Sequence, residues 1–354
     1  MKVIRKFFAF IIYLLMIAVC LITIYACLDI FGIIDVPKEY SVLEILGAQL
    51  ENIVNEDAVE VVDLPGYYYN QLSDYGKVIY YGLYKNKDNL KTGTYVIEYE
   101  ESFSRLLDQE NGSKKLKDEY ELAVNAFVFD YPEVFYVDIS KMTLVTEIIT
   151  KLSFIRTYNV YIAPDGESYL YDDFKDKEEL EDAIDKIEKI RNDLVNANYN
   201  NDIEKIQAAH NYLIENVEYS KEIKDDMYGI YGALVKGEAV CNGYAKAFKY
   251  ILDGMNIPCV LVSGIGINSN GETESHAWNY VLIKDVWYAV DVTWDDPIIT
   301  WVGGKPIENY KLTSDAMYRY FLVGSNLLFE DHKEDGSIRE DFSFTYPTIS
   351  RENY

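Results

Sequence analysis

The chain has 354 residues and a formal net charge of −26; 49% of it is hydrophobic and 26% charged. That length allows two or three domains with a sizeable core, and the composition is that of a folded body, neither disordered nor fibrous. A pI near 4.5 argues against a nucleic-acid partner, which needs clustered Lys and Arg. The 4 Cys are too few for a disulfide scaffold, and the 3 His leave little for a His-rich metal site.

Residues 7–28 contain no Asp, Glu, Lys or Arg. As a helix this run is about 33 Å long, enough for a hydrocarbon core of roughly 30 Å. Lys2, Arg5 and Lys6 precede it. The positive-inside rule then predicts a cytoplasmic N-terminus (1–6), one transmembrane helix (7–28) and an extracytoplasmic body at the cell surface of a bacterium. A cleaved signal peptide and a lipidated Cys27 are the alternatives; Ile24-Tyr25-Ala26-Cys27 is similar to a lipobox except at Tyr25. The exported body holds 59 acidic and 30 basic residues, a charge of −29. It is expected to be soluble and repelled by anionic surfaces.

Residues 29–65 read as a linker with one amphipathic helix within 41–54, on which Leu43, Leu46 and Leu50 share a face. Residues 66–200 read as a mixed α/β accessory domain. Ser73 is the expected N-cap of a helix through Tyr84, and 94–99 has strand composition. A helix is predicted over 114–130, then a buried strand at 134–137. Two more strands are expected at 142–149 and 157–162, and a charged amphipathic helix at 177–195. The many Tyr in this half read as packing residues with one wet end.

Residues 201–330 carry the chemistry, and 331–354 form a C-terminal tail. A helix capped by Asp202 is predicted over 202–217, with His210 on it as a structural hydrogen-bonding residue. A glycine-punctuated loop over 228–240 then leads to Cys241. Ala245, Phe248, Ile251 and Leu252 repeat at helical spacing, so Cys241 falls in the first turn of a helix. The dipole and free N–H groups of a helix start favour a thiolate and can hold an oxyanion. Cys259 falls inside a predicted strand, 257–265, and is expected to be inert. Asn270-Gly271 marks a turn, followed by strands at 275–283 and 286–294. A hairpin turning at Lys284-Asp285 brings His276 and Asp291 close to opposite positions, with β-carbons roughly 4.5–5.5 Å apart. A carboxylate there fixes the imidazole tautomer, and the imidazole can then deprotonate a thiol.

Three blocks now stand in order: Ala239-Val240-Cys241-Asn242-Gly243-Tyr244-Ala245, His276-Ala277-Trp278-Asn279, and Trp287 to Pro297 with Asp291 inside it. Together they resemble the transglutaminase-like superfamily, and most of all its bacterial exported, cytokinesis-type group. The resemblance covers about 130 residues, 201–330. It implies an α+β, papain-like core, a nucleophile helix packed on an antiparallel sheet, and a catalytic triad of Cys241, His276 and Asp291. Cys241 would attack a glutamine carboxamide or peptide carbonyl to form a thioester. The Cys241 N–H would be one oxyanion donor, with Tyr228 or Tyr231 as candidates for the second. Trp278, Trp287 and Trp294 read as core supports.

No zinc spacing and no calcium loop is present, so neither a metal nor a cofactor is expected. The expected partner is a protein or peptide substrate at the cell envelope, with membrane contact through 7–28 and no nucleic acid. The activity is a transglutaminase-like transfer or a cysteine-peptidase-like hydrolysis, which share one acyl-enzyme. A non-catalytic envelope scaffold on the same fold is the alternative.

Overall fold

The structure is a computed structural model. It describes residues 61–354 except 101, 151–155, 175, 221–223, 269 and 297–316, and ten positions between Met16 and Leu28. Those ten are helical, and Met16, Val19, Leu21 and Ile24 are exposed. Among the described residues no helix is long and apolar enough to cross a membrane. Most of the expected span 7–28 and the helix expected within 41–54 lie outside the described residues.

The first half runs α1 (Asp74–Lys85), β1 (Ile97–Glu100), α2 (Ser104–Leu107), α3 (Gly112–Asp130), β2 (Met142–Thr150), β3 (Arg156–Pro164) and α4 (Lys177–Val195). Ser73 caps α1 as predicted, its hydroxyl accepting from the Gly76 N–H at 3.2 Å. The strands form an antiparallel sheet in the order β1-β3-β2. The strand expected at 134–137 is absent. Those residues form turns, with a single bridge between Val137 and Leu170. Val134, Tyr136 and Val137 are buried all the same. A short apolar run signals burial but does not by itself distinguish a strand from other buried backbone.

The second half runs α5 (Asp202–Asn216), β4 (Glu218–Tyr219), β5 (Glu238–Ala239), α6 (Cys241–Gly254), β6 (Cys259–Ile267), β7 (Thr273–Ile283), β8 (Val286–Val290), α7 (Val292–Asp295), β9 (Phe321–Val323), α8 (Ser325–Leu328), β10 (His332–Glu334), β11 (Ser337–Arg339) and β12 (Phe342–Ser343). Asn201, not Asp202, caps α5, accepting from the Glu204 N–H at 3.1 Å. Glu204 reaches back to the Asn200 N–H at 2.8 Å. The reciprocal pair places the cap one residue earlier than expected. Five antiparallel strands in the order β10-β6-β7-β8-β9 form the central sheet. Helix α6 packs on β6 and β7, and Asn279 of β7 donates to the Ala245 carbonyl at 3.0 Å.

Residues 61–354 form one compact unit. The boundary expected at 200 is not a gap in packing: on α4, Leu180 and Ala183 join the first half's core, whereas Ile187 joins that of the second. Asp130, buried at the end of α3, accepts from the Tyr68 and Tyr69 N–H groups and from the Tyr80 hydroxyl at 2.8 Å. The Tyr68 hydroxyl in turn donates to the Leu261 carbonyl of β6. The tail is part of the same body, with β10 on the sheet edge and Phe344 in the first core.

Candidate active site

Cys241 is the first residue of α6. Its N-cap, Val240, has no side chain able to cap the helix. The Cys241 and Asn242 N–H groups therefore face outward from the helix start with no hydrogen-bond partner among the described residues. The thiol packs with Ala245, Leu261 and Ala277, and Phe129 of α3 covers this small cluster. The first half of the chain thus supplies a wall behind the nucleophile candidate.

His276 and Asp291 come together as the hairpin register requires. Asn279 pairs with Val290, and Val281 with Tyr288. The expected strand 286–294 stops at Val290, however, and Asp291 instead caps α7. Its Oδ1 accepts from the Thr293 N–H at 3.0 Å and the Trp294 N–H at 3.2 Å. Its own N–H bonds the Tyr320 carbonyl. The cap leaves Oδ2 for His276, whose Nε2 donates to it at 2.7 Å. With Nε2 carrying that proton, Nδ1 of His276 is the free acceptor.

The three side chains are buried: Cys241 is 8% exposed, His276 5% and Asp291 0%. Burial pulls the His276 imidazole down, but the charge and hydrogen bond of Asp291, followed by those of Cys241, outweigh it and raise its pKa to about 10. Burial pushes the Asp291 carboxyl up, and the charges and hydrogen bonds of His276 and His332 overcome this, holding it well below the usual carboxylate range. An imidazole so supported can take and hold a thiol proton.

Asp295 and Asp296 are engaged elsewhere. Asp295 accepts from His210 at 3.0 Å and from the Tyr320 N–H at 2.7 Å, and Asp296 accepts from the Tyr244 hydroxyl. Burial raises both carboxyls to about 6, against the partners' opposing pull. His210 is thus a structural hydrogen-bonding residue. Cys259 is buried, and burial raises its thiol beyond the ordinary range. Trp278 is buried, while the Trp294 ring lies 5.1 Å from the His276 ring.

The two expected oxyanion tyrosines are placed differently from one another. Tyr231 stacks on Phe135 at 6.0 Å and meets Phe174 at 4.8 Å, with the Lys236 ammonium 5.0 Å from its ring. Tyr228 is 39% exposed and lines a neighbouring cavity with Tyr231 and Lys246. Tyr219, which sequence reasoning passed over, feels the charge of Cys241. Burial, then the charges of Cys241 and Glu274, raise its hydroxyl to about 12. The clue was its place on β4, which pairs with β5 directly before Cys241.

His332 was also missed. From β10, its Nε2 meets Asp291 Oδ2 at 3.0 Å. His276, Asp291 and His332 are the side chains that could hold a metal ion among the described residues, their ligand atoms lying within 4.8 Å of one another. In this arrangement both imidazole nitrogens are hydrogen-bonded to Asp291 Oδ2.

Residues 189–292 match the family model described as the Transglutaminase-like superfamily. The kyphoscoliosis peptidase of Mus musculus is 27% identical over 146 residues, covering 38% of this chain and 21% of that protein. Its Homo sapiens counterpart is 26% identical over the same length, with the same coverage. The chain therefore spans about a fifth of the length of these curated relatives. Among solved structures, a TGase is similar at 15% identity and a TM-score of 0.29, over 54% of this chain and 51% of that one. The periplasmic domain of TgpA from Pseudomonas aeruginosa, bound to ethylmercury, is similar at 19% identity and a TM-score of 0.25, over 39% and 56%.

Proposed function

We propose that this chain, which carries a transglutaminase-like domain over residues 189–292, is a thiol enzyme acting on glutamine carboxamide or peptide bonds. The observation that carries the reading is the His276 Nε2–Asp291 Oδ2 bond of 2.7 Å beside a cysteine at a helix start. His276 takes the Cys241 proton on Nδ1, and the thiolate attacks the carbonyl carbon. The oxyanion is received by the free N–H groups at the start of α6, with Tyr219 as the neighbouring hydroxyl. Collapse of the intermediate transfers the proton from His276 to the departing amine and leaves a thioester on Cys241. An amine or water then attacks, with His276 as base. Asp291 holds the tautomer and balances the imidazolium throughout.

We further propose that the body acts outside the cytoplasm on proteins or peptides of the cell envelope, tethered by 7–28. The uncharged run and the preceding Lys2, Arg5 and Lys6 support this. Purified protein is incubated with a labelled primary amine and glutamine-containing proteins, with Cys241→Ala in parallel. Amine incorporation lost in the variant supports transfer, and cleavage lost in the variant supports hydrolysis. Absence of both in the wild type contradicts the reading.

A further inference from the structure

The cavity that Tyr228 lines holds a cation for which the triad has no use. Lys246 lies on α6 about one turn after Gly243. A Cβ at Gly243 would stand 2.5 Å from the Met227 carbonyl oxygen and 3.2 Å from that of Gly229, so residues 227–229 run hard against this face of the helix. One turn on, Lys246 lines a cavity between α6, that loop and the turns around Phe135. It is partly buried. Among the described residues its ammonium has no hydrogen bond and no ion pair. Burial lowers its pKa to about 8, and no neighbouring acid offsets the effect.

An ammonium drawn out of water is costly until an anion meets it. The acids of the cavity wall do not supply one. Asp226 and Asp173 bind the Lys236 ammonium, and Asp225 is exposed. The rest of the wall is aromatic and fixed: Phe135, Phe174 and Tyr231 pack on one another with ring centroids 4.8, 5.3 and 6.0 Å apart. Apolar walls around one charged group are the usual form of a small ligand site. The free space is about 90 Å³. That holds on the order of six waters, which is the bulk of a glutamate side chain and too little for a nucleotide. One ammonium balances one negative charge, so the fitting group is a monoanion.

We propose that this cavity is a subsite for a carboxylate of the peptide on which Cys241 acts, with Lys246 as the residue that selects it. The proposal deepens the thiol-enzyme reading and rests on it. Cys241 and Lys246 are five residues apart on one helix, about 7.5 Å along its axis. An extended peptide covers that distance in two or three residues, at roughly 3.3 Å each. The carboxylate then sits on a side chain, or at a C-terminus, about two or three residues from the reacting carbonyl. Tyr228 stands at the junction. It lines the cavity and, after burial, Cys241 and Glu274, acts on the Tyr219 hydroxyl. The chain carries a net charge of −26, which repels anions in general. A preference for acidic peptides must therefore come from a local cation.

The full chain with Cys241→Ala, detergent-solubilised, binds peptides without consuming them, and calorimetry reads the affinity. Acetyl-Gly-Glu-Gly-amide carries its acid on a side chain, acetyl-Gly-Gly-Gly free acid carries it at the C-terminus, and acetyl-Gly-Ala-Gly-amide carries none. At least one acidic peptide is expected to bind about tenfold tighter than the neutral one, and the one that gains identifies the source of the carboxylate. Adding Lys246→Met should remove the preference and leave binding of the neutral peptide unchanged. Lys246→Gln carries the test if Lys246→Met does not fold. Equal binding of all three peptides, or a preference that survives the loss of Lys246, overturns the proposal. In protein with Cys241 intact, Lys246→Met should raise KM for an acidic substrate about tenfold and leave kcat unchanged. A merely structural Lys246 would lower the melting temperature and weaken all three peptides alike, which also overturns it. Failure of the thiol-enzyme reading shows separately, as wild-type protein that keeps the binding preference but has no Cys241-dependent turnover.

Discussion

At the residue scale, the pair His276–Asp291 links the site to folding. The His276 pKa is raised to about 10 from an ordinary value near 6.5. Its contribution to stability is therefore complete below about pH 6.5 and is lost as pH rises through about 10. Asp291 has the opposite sign. Its depressed carboxyl contributes above the ordinary carboxylate range and loses that contribution as pH falls through its folded value. Wild-type protein should thus lose unfolding free energy between pH 6.5 and 10, and His276→Gln should flatten that slope. Urea unfolding at three pH values in this window checks it, and equal slopes would contradict the assignment. The core of the site was legible in the sequence because each part had a local signal: a helical repeat placing Cys241, and a hairpin turn relating His276 to Asp291. The cap made by Asp291 was not legible. Whether a chain extends its strand to Trp294 or turns at Asp291 depends on a side-chain bond to Thr293 and Trp294, which alternation does not encode.

At the element scale, β10 and β6 hold His332 in place. Gly264 of β6 pairs with Glu334 of β10 and His276 of β7. A Cβ added there would overlap the Lys333 carbonyl and the Trp278 ring. Gly264→Ala is expected to cost about 1–3 kcal/mol by overpacking and to slow turnover by displacing β10. Thermal melts and kinetics on one preparation check both, and an unchanged melt would contradict the packing argument. Asn201→Ala removes the true cap of α5 and should cost about 1 kcal/mol, whereas Asp202→Ala should cost less. Chemical denaturation ranks the two, and the reverse order would sink the cap assignment. These elements also show where sequence reading stopped. Strand β10 is three residues long and polar, and it gains its place only by pairing with β6, about 66 residues upstream. No local pattern marks such an edge strand, so His332 stayed hidden beside an evident Cys, His and Asp.

For the molecule as a whole, the structure binds together what composition and spacing divided. Leu180, Ala183 and Ile187 of one helix serve two cores. Phe129 and Tyr68 reach from the first half to the Cys241 cluster and to β6. Asp130→Ala would leave two backbone N–H groups and the Tyr80 hydroxyl without their acceptor, and is expected to destabilise by about 3 kcal/mol. Because the body is one unit, that loss should appear as a single shifted transition, and two separated transitions would contradict it. Truncation after residue 330 should be worse, since it removes β10, His332 and Phe344 together. Helices with caps and strands with regular alternation in both halves were readable one by one. Their assembly rests on long-range bonds such as Tyr68 to Leu261, for which a single sequence offers no period or spacing.

The central claim is that Cys241 is a nucleophile made ready by His276 and Asp291. Iodoacetamide alkylation at pH 6, followed by peptide mass spectrometry, reads it directly. Cys241 should react faster than N-acetylcysteine and far faster than buried Cys259, and Asp291→Asn should abolish the advantage. A Cys241 that reacts no faster than N-acetylcysteine in folded wild-type protein would contradict the claim.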